Sequence, residues 1–469
     1  MLNVKNLSKK SNQLIEELVA TKLEENNDIQ NIKSAEEGKA VSYKKALEEL
    51  GNVRGRPLFY PYLSAGKGKG PFVELMDGSV KLDLINAIGV YLLGHNSPIL
   101  LKAGVEAGLE DAIMQGNLQI SQGYYKLASK LKSIASKNSR LEHVWISPSG
   151  AMANENALKI CRQKKSPAKK IIALTAAFAG RTTFMAEITD NPAYKQGLPA
   201  YDEVLRVPFV SSYSLAQCEA NPKLLKQEAD KALAELKKQV NDNPGDIAAF
   251  MFELIQGEGG FKIATRDFWV PLLEFCQEKQ IPVWVDEVQT FLRTGEFFAF
   301  EKLQLGKYID VCTVAKAVQV GATFYTKAMN PKPGLIAGTF ASSSVALSAG
   351  YATLNYLEKE NCLGKGGAID RINTEMTDAL TALSKGSCKG LISDIGGMGL
   401  MIALTPLDGS KEKTLALLKT LYKNGLVAFS CGHGPYRLRF LCPAILTTEH
   451  IQLAVSILEK SLTEVSNSF

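Results

Sequence analysis

From about residue 97 onward the sequence alternates short apolar runs with helical segments, and this alternation limits the fold more than any other feature. EHVWISPS, KKIIALTAAF, EVLRVPF, DIAAFMFELIQ and IPVWVDEVQ read as strands. ANENALKICRQKK, KLLKQEADKALAELKKQV and DFWVPLLEFCQEKQ read as helices, the second with apolar residues at three-to-four spacing. Apolar strands separated by helices predict a mostly parallel α/β sheet covered on both faces, here a large domain over residues 97–343. Beyond 344 the pattern changes. Long helices flank short strands such as LMIALTP and YRLRFL, which predicts a smaller α+β domain over 344–469. Residues 51–96 contain PFVELMDGSVKLDL, with the alternation and Asp-Gly turn of a hairpin, and are expected to join the small domain. Residues 1–50 are polar and helix-prone, and read as a loosely attached arm.

Two of the apolar runs carry a charge where a buried strand should carry none. Val283-Trp284-Val285 leads into Asp286, and the run 311–314 leads to Lys316 between two alanines. Burying an unpaired carboxylate or ammonium is costly, so each needs a partner or a task. A ring nitrogen for Asp286 and a carbonyl for Lys316 would serve, and pyridoxal 5'-phosphate (PLP) offers both on one molecule. The plainer alternative is a pair of strand ends, with Asp286 capping a turn and Lys316 extending its ammonium to water.

Other turns fall at the ends of strands. Pro148-Ser149-Gly150-Ala151 lies between a strand and a helix, where small residues let backbone N–H groups approach an anion; many ordinary strand–helix turns look the same. Phe178-Ala179-Gly180-Arg181 follows IIALTAA at an edge where ligands gather in open α/β sheets. Phe178 could stack on a heterocycle and Arg181 could fork onto a carboxylate; a core Phe and a surface Arg are the alternative. ELIQGEGG places Glu258 at the same edge, and Arg437 and Arg439 lie two apart on one strand face, so one of them is a natural partner for an acid.

Composition narrows the classes. Apolar content of 46% and charged content of 22% are ordinary for a soluble protein. The net charge of +6 is scattered among acids with no basic stripe, so no nucleic-acid partner is expected. No apolar run reaches the roughly 20 residues of a membrane span, and no membrane partner is expected. The start shows no secretory core. Eight cysteines lie far apart without ligand-like pairing to the four histidines, which points to reduced thiols, no metal site and a cytoplasmic location.

Taken together, SGAMANENALK, AFAGRTT, ELIQGEGG, VDEVQT followed by RTG, the Lys316 segment, AGTF and YRLRF stand in the order and spacing of class-III PLP-dependent aminotransferases. The resemblance covers about 60 to 457. It implies the PLP-dependent transferase fold of type I and an enzyme that moves an amino group, terminal on its donor, to 2-oxoglutarate by a ping-pong mechanism. It also implies roles. Lys316 would form the Schiff base, and Asp286 would hold the pyridine nitrogen protonated. Gln289 would lie near the phenolic oxygen, Phe178 would stack on the ring, and Ser149, Gly150 and Ala151 would surround the phosphate. Thr339 would reach the neighbouring subunit's cofactor, making a homodimer with shared active sites. Arg181 would take a substrate carboxylate. Glu258 and Arg439 would form a gate that shields Arg439 for one substrate and frees it for 2-oxoglutarate or glutamate.

Departures from the family pattern are Ala179 for a frequent His, Leu254 for a Pro, and Phe291 for a Gly, the last expected to narrow or reshape the site. NENALK and the stretch from Cys431 to Arg439 are closer to 4-aminobutyrate and lysine 6-aminotransferases. Ser149 and Met152 stand where some relatives carry cluster-binding cysteines, so no iron–sulfur cluster is expected. Ile88, Tyr91 and Phe291 are candidates for the donor pocket's walls. An aminomutase or decarboxylase on the same scaffold, or a non-catalytic binding protein, are the competing readings.

Overall fold

The computed structural model describes residues 7–111 and 114–469. Seven strands form the main sheet: β1 (His143–Ser147), β2 (Lys170–Leu174), β3 (Val204–Val207), β4 (Ile247–Glu253), β5 (Val283–Asp286), β6 (Val311–Val314) and β7 (Gly321–Tyr325), in the order β1-β7-β6-β5-β4-β2-β3. All neighbours are parallel except β7, which runs antiparallel to both β1 and β6. Every residue of β4, β5, β6 and β7 is buried, as a sheet covered on both faces requires.

Side-chain alternation along β4 shows how the cover is arranged. Phe250 and Phe252 point to one face, where the Phe252 ring stacks at 4.6 Å on Trp269 of the helix Arg266–Glu278. Ala249 and Met251 point to the other, into a cluster with Ala157, Leu158 and Cys161 of the helix Gly150–Lys164. With both faces sealed, the open ground is the C-terminal edge of the parallel strands, where the chain leaves β4, β5 and β6 at Glu253, Asp286 and Val314.

Two four-stranded sheets flank this core. One joins Ser64–Lys69, Phe72–Leu75 and Val80–Asp83 to Leu426–Val427, so the N-terminal hairpin pairs with the C-terminal part of the chain. The other orders Ile392–Met398, Met401–Pro406, Arg437–Leu441 and Phe429–Cys431. The segment read as a loose arm is docked: its helix Lys9–Glu24 packs on the helix Pro98–Gly108. Lys33 exchanges backbone hydrogen bonds with Val80 at 3.1 and 3.0 Å. All eight cysteines are buried and free. Among the described residues no helix is long and apolar enough to cross a membrane.

Candidate active site

Asp286 and Lys316 meet in one cavity at the strand edge, together with Gly150, Ala151, Phe178, Gln289 and Glu258. Asp286 ends β5 and is 5% exposed. Its Oδ2 accepts from Asn154 Nδ2 at 2.7 Å and its Oδ1 from the Val288 N–H at 2.8 Å. Burial pushes its carboxyl up to about 6, against those hydrogen bonds and the nearby Lys316. Lys316 follows β6 in a single 3-10 turn with φ of 55°, a conformation L side chains avoid. Gln319 fastens that turn, donating to Val90 O at 2.9 Å. Burial draws the Lys316 amine down to about 8, with Asp286 and Glu258 opposing.

The helix Gly150–Lys164 closes one side. Ser149 is its N-cap, accepting from the Met152 N–H at 3.2 Å, and Ser149 itself is exposed and outside the cavity lining. The cradle requires glycine. A Cβ on Gly150 would stand 2.8 Å from Val288, and one on Gly257 2.5 Å from Gln289 Oε1.

The paired groups predicted at the mouth are in contact. Arg439, 1% exposed, binds Glu258 Oε1 through Nη1 at 2.7 Å. Burial works against its charge, and the Glu258 carboxylate, helped by Cys431 and Tyr194, leaves it raised on balance. Arg437 goes elsewhere: it is fully buried, bonded to the carbonyls of Gly260, Asp394 and Ala403 and stacked over Tyr213. Phe178 is half-buried in the lining, and Arg181 is exposed beside it.

Several sequence expectations are corrected by this geometry. Phe291 does not reshape the cavity. It is fully buried, 4.7 Å from the Phe298 ring in a cluster with Phe300 and Phe324. Ile88 packs against the main core and Tyr91 is exposed near His95, and neither lines the cavity. Thr339, expected to serve a neighbouring subunit rather than its own, is exposed on a separate cleft with Gly116, Leu118 and Ile120, which leaves that expectation untouched.

Asn154, Glu253 and Tyr194 were not singled out in the sequence. Asn154 lies one helical turn after Gly150 and also donates to Ala179 O at 2.7 Å. Glu253 ends β4 as Asp286 ends β5, so the same signal, a carboxylate after an apolar run, marks it. Its oxygens accept from the Phe178 and Gly257 N–H groups at 3.0 and 2.9 Å. Burial and the field of Asp286 push Glu253 up to about 8. Tyr194 gave no such signal.

The cavity fits a cationic heterocycle carrying an aldehyde. It holds a buried carboxylate lacking a full counter-charge, a lysine with depressed basicity, and the Gln289 Oε1, buried without a partner. The aminotransferase class-III family matches residues 54–462. The chain belongs to the class-III aminotransferases. It is therefore a PLP-dependent enzyme, and the residues above fit that cofactor. Similar relatives include the 4-aminobutyrate aminotransferase of Mycobacterium tuberculosis, 31% identical over 83% of this chain and 88% of that protein. The acetylornithine aminotransferase of Bacillus subtilis is 32% identical over 85% of this chain and 95% of its own. Among solved structures, lysine aminotransferase from M. tuberculosis superimposes with a TM-score of 0.78 at 21% identity, covering 89% of this chain and 99% of that one. This places the chain in the same fold, the type I fold expected of a PLP-dependent aminotransferase.

Proposed function

We propose that this aminotransferase takes the terminal amino group of an amino acid and passes it to 2-oxoglutarate, giving a semialdehyde and glutamate in two alternating half-reactions. The observation that carries this reading is the closed Arg439–Glu258 pair at 2.7 Å beside Lys316. Paired, the two charges neutralise each other while a donor with a distal amine occupies the cavity. Parted, Arg439 presents its fork to a second carboxylate.

Bound PLP supplies an electron sink for a carbanion at the substrate carbon. The chain's residues do the rest. Lys316 is the lysine that holds the cofactor's aldehyde, and its amine, neutral in part near pH 8, carries the proton at the substrate carbon. Asp286, fixed by Asn154 and Val288, would hold the ring N–H. Gln289 would lie near the phenolic oxygen, Phe178 would cover the ring, and the Gly150 and Ala151 N–H groups would hold the phosphate. Arg181 takes the donor's carboxylate. Thr339, on its exposed cleft beside Leu118 and Ile120, serves a second copy of the chain, and buried free thiols suit the cytoplasm.

Rapid-mixing measurement of the two half-reactions tests the gate. Arg439→Ala should slow the 2-oxoglutarate half by at least about tenfold more than the amine half, the loss of one charged hydrogen-bond pair. Equal losses in both would contradict it.

A further inference from the structure

Arg181 is exposed beside Phe178 of the cavity lining without a carboxylate within 4 Å among the described residues, yet its guanidinium is not loose. Its Cζ lies 3.6 Å from the centroid of the Tyr194 ring and 5.7 Å from that of Phe178. A guanidinium stacks through its flat faces and hydrogen-bonds through its edge. With a face taken by Tyr194, the edge is what remains for a ligand.

Tyr194 is itself held. It ends the turn Pro192–Tyr194, capped by Asn191, whose Oδ1 accepts from the Ala193 N–H at 3.0 Å. Its ring meets Phe178 edge-on, centroids 6.1 Å apart at 90°. The same side chain lies in the electrostatic field of Glu258, Arg181 and Arg439. One half-buried ring thus touches the cavity lining through Phe178, the exposed guanidinium through its face, and the field of the buried ion pair.

We propose that Tyr194 is a substrate-positioning residue whose ring holds the Arg181 guanidinium with its N–H edge toward the cavity, so that the enzyme selects donors bearing a carboxylate distant from the reacting amine. This rests on the reading of Arg181 as a carboxylate site. The ring face carries most of the effect, and the hydroxyl, which also reaches Arg181, adds little. Leucine, close in bulk but without a π face, removes it, and phenylalanine keeps it.

The test is calorimetric binding of pentanoate, a lone carboxylate without an amine, to the holoenzyme and its variants. Tyr194→Leu should raise the Kd about tenfold, in the range of a partly desolvated cation–π contact. Tyr194→Phe should stay within about twofold of wild type. With any amino-acid donor that turns over, Tyr194→Leu should raise KM far more than it lowers kcat. A Leu variant that binds pentanoate as wild type does, or a Phe variant as weak as the Leu one, overturns the proposal. Arg181→Ala separates the two layers. If it binds pentanoate as tightly as wild type, or if wild type does not bind it, the carboxylate role of Arg181 falls. If Arg181→Ala is weak and Tyr194→Leu is not, Tyr194 alone is misassigned.

Discussion

Glu253 and Asp286 end adjacent parallel strands as register partners, so two carboxyl groups share one buried edge. Burial and, after it, the like charge of Asp286 disfavour ionisation there, and Glu253 is pushed to about 8 from an ordinary 4.5. Its folded pKa lies above its unfolded one. The folded protein therefore retains a proton that the unfolded chain gives up, and stability falls as pH rises from about 4.5 to about 8. Glu253→Gln mimics the neutral acid. In cofactor-free protein it should flatten the decline of thermal midpoint across that window and match or exceed wild type at pH 8.5. An unchanged slope would show that Glu253 is ionised in the fold. At this scale the sequence was legible where a charge interrupts an apolar run, as at Asp286 and Lys316. It was silent at Tyr194, which lies in the polar stretch NPAYKQG, and misleading at Phe291, whose ring turns into an aromatic cluster that no local pattern shows.

Among the elements, the turn Asn86–Gly89 carries the most strain. Asn86, Ala87, Ile88 and Gly89 all have positive φ, at 49°, 53°, 58° and 85°, and a β-branched residue such as Ile88 is a poor fit there. The turn persists because its surroundings over-determine it. Asp83 accepts from the Ile85 and Asn86 N–H groups at 2.9 and 2.8 Å, and Asn86 Nδ2 donates to Leu441 O at 2.9 Å. The buried Arg293 binds Gly89 O. The turn thereby packs against both the Lys316 turn and the strand that carries Arg439. Gly89→Ala would put a methyl 2.9 Å from Arg293 Nη2 as well as strain φ, and should cost at least about 2 kcal/mol in denaturant unfolding; a loss under about 0.5 kcal/mol would mean the turn relaxes freely. Neither this turn nor β7 could be read in advance. INAIG mixes β-branched residues with Asn and Gly and favours no one conformation, and β7 follows two positive-φ residues, Lys316 and Gln319, in a run without flanking α-helices. The parallel strands were legible because apolar runs between helices have one good solution.

For the whole molecule, the hairpin of residues 72–83 pairs with Leu426–Val427 across more than three hundred residues of sequence, and no local signal gives that partnership. The proposed homodimer is supported by an exposed surface. Leu118 at 95% exposure, Ile120 and Phe340 form an apolar rim around Thr339, and such a rim calls for cover. Leu118→Asp should shift a sedimenting dimer toward monomer and weaken PLP binding at least about tenfold, since a charge facing an apolar partner leaves a desolvation penalty; a monomer with undiminished PLP affinity would contradict shared sites. All of this depends on one nitrogen. Borohydride reduction of the holoenzyme, followed by peptide mass spectrometry, should find the reduced pyridoxyl group on Lys316 and on no other lysine. Label on a different lysine, or on Lys316→Ala protein to the same extent as wild type, would contradict the account.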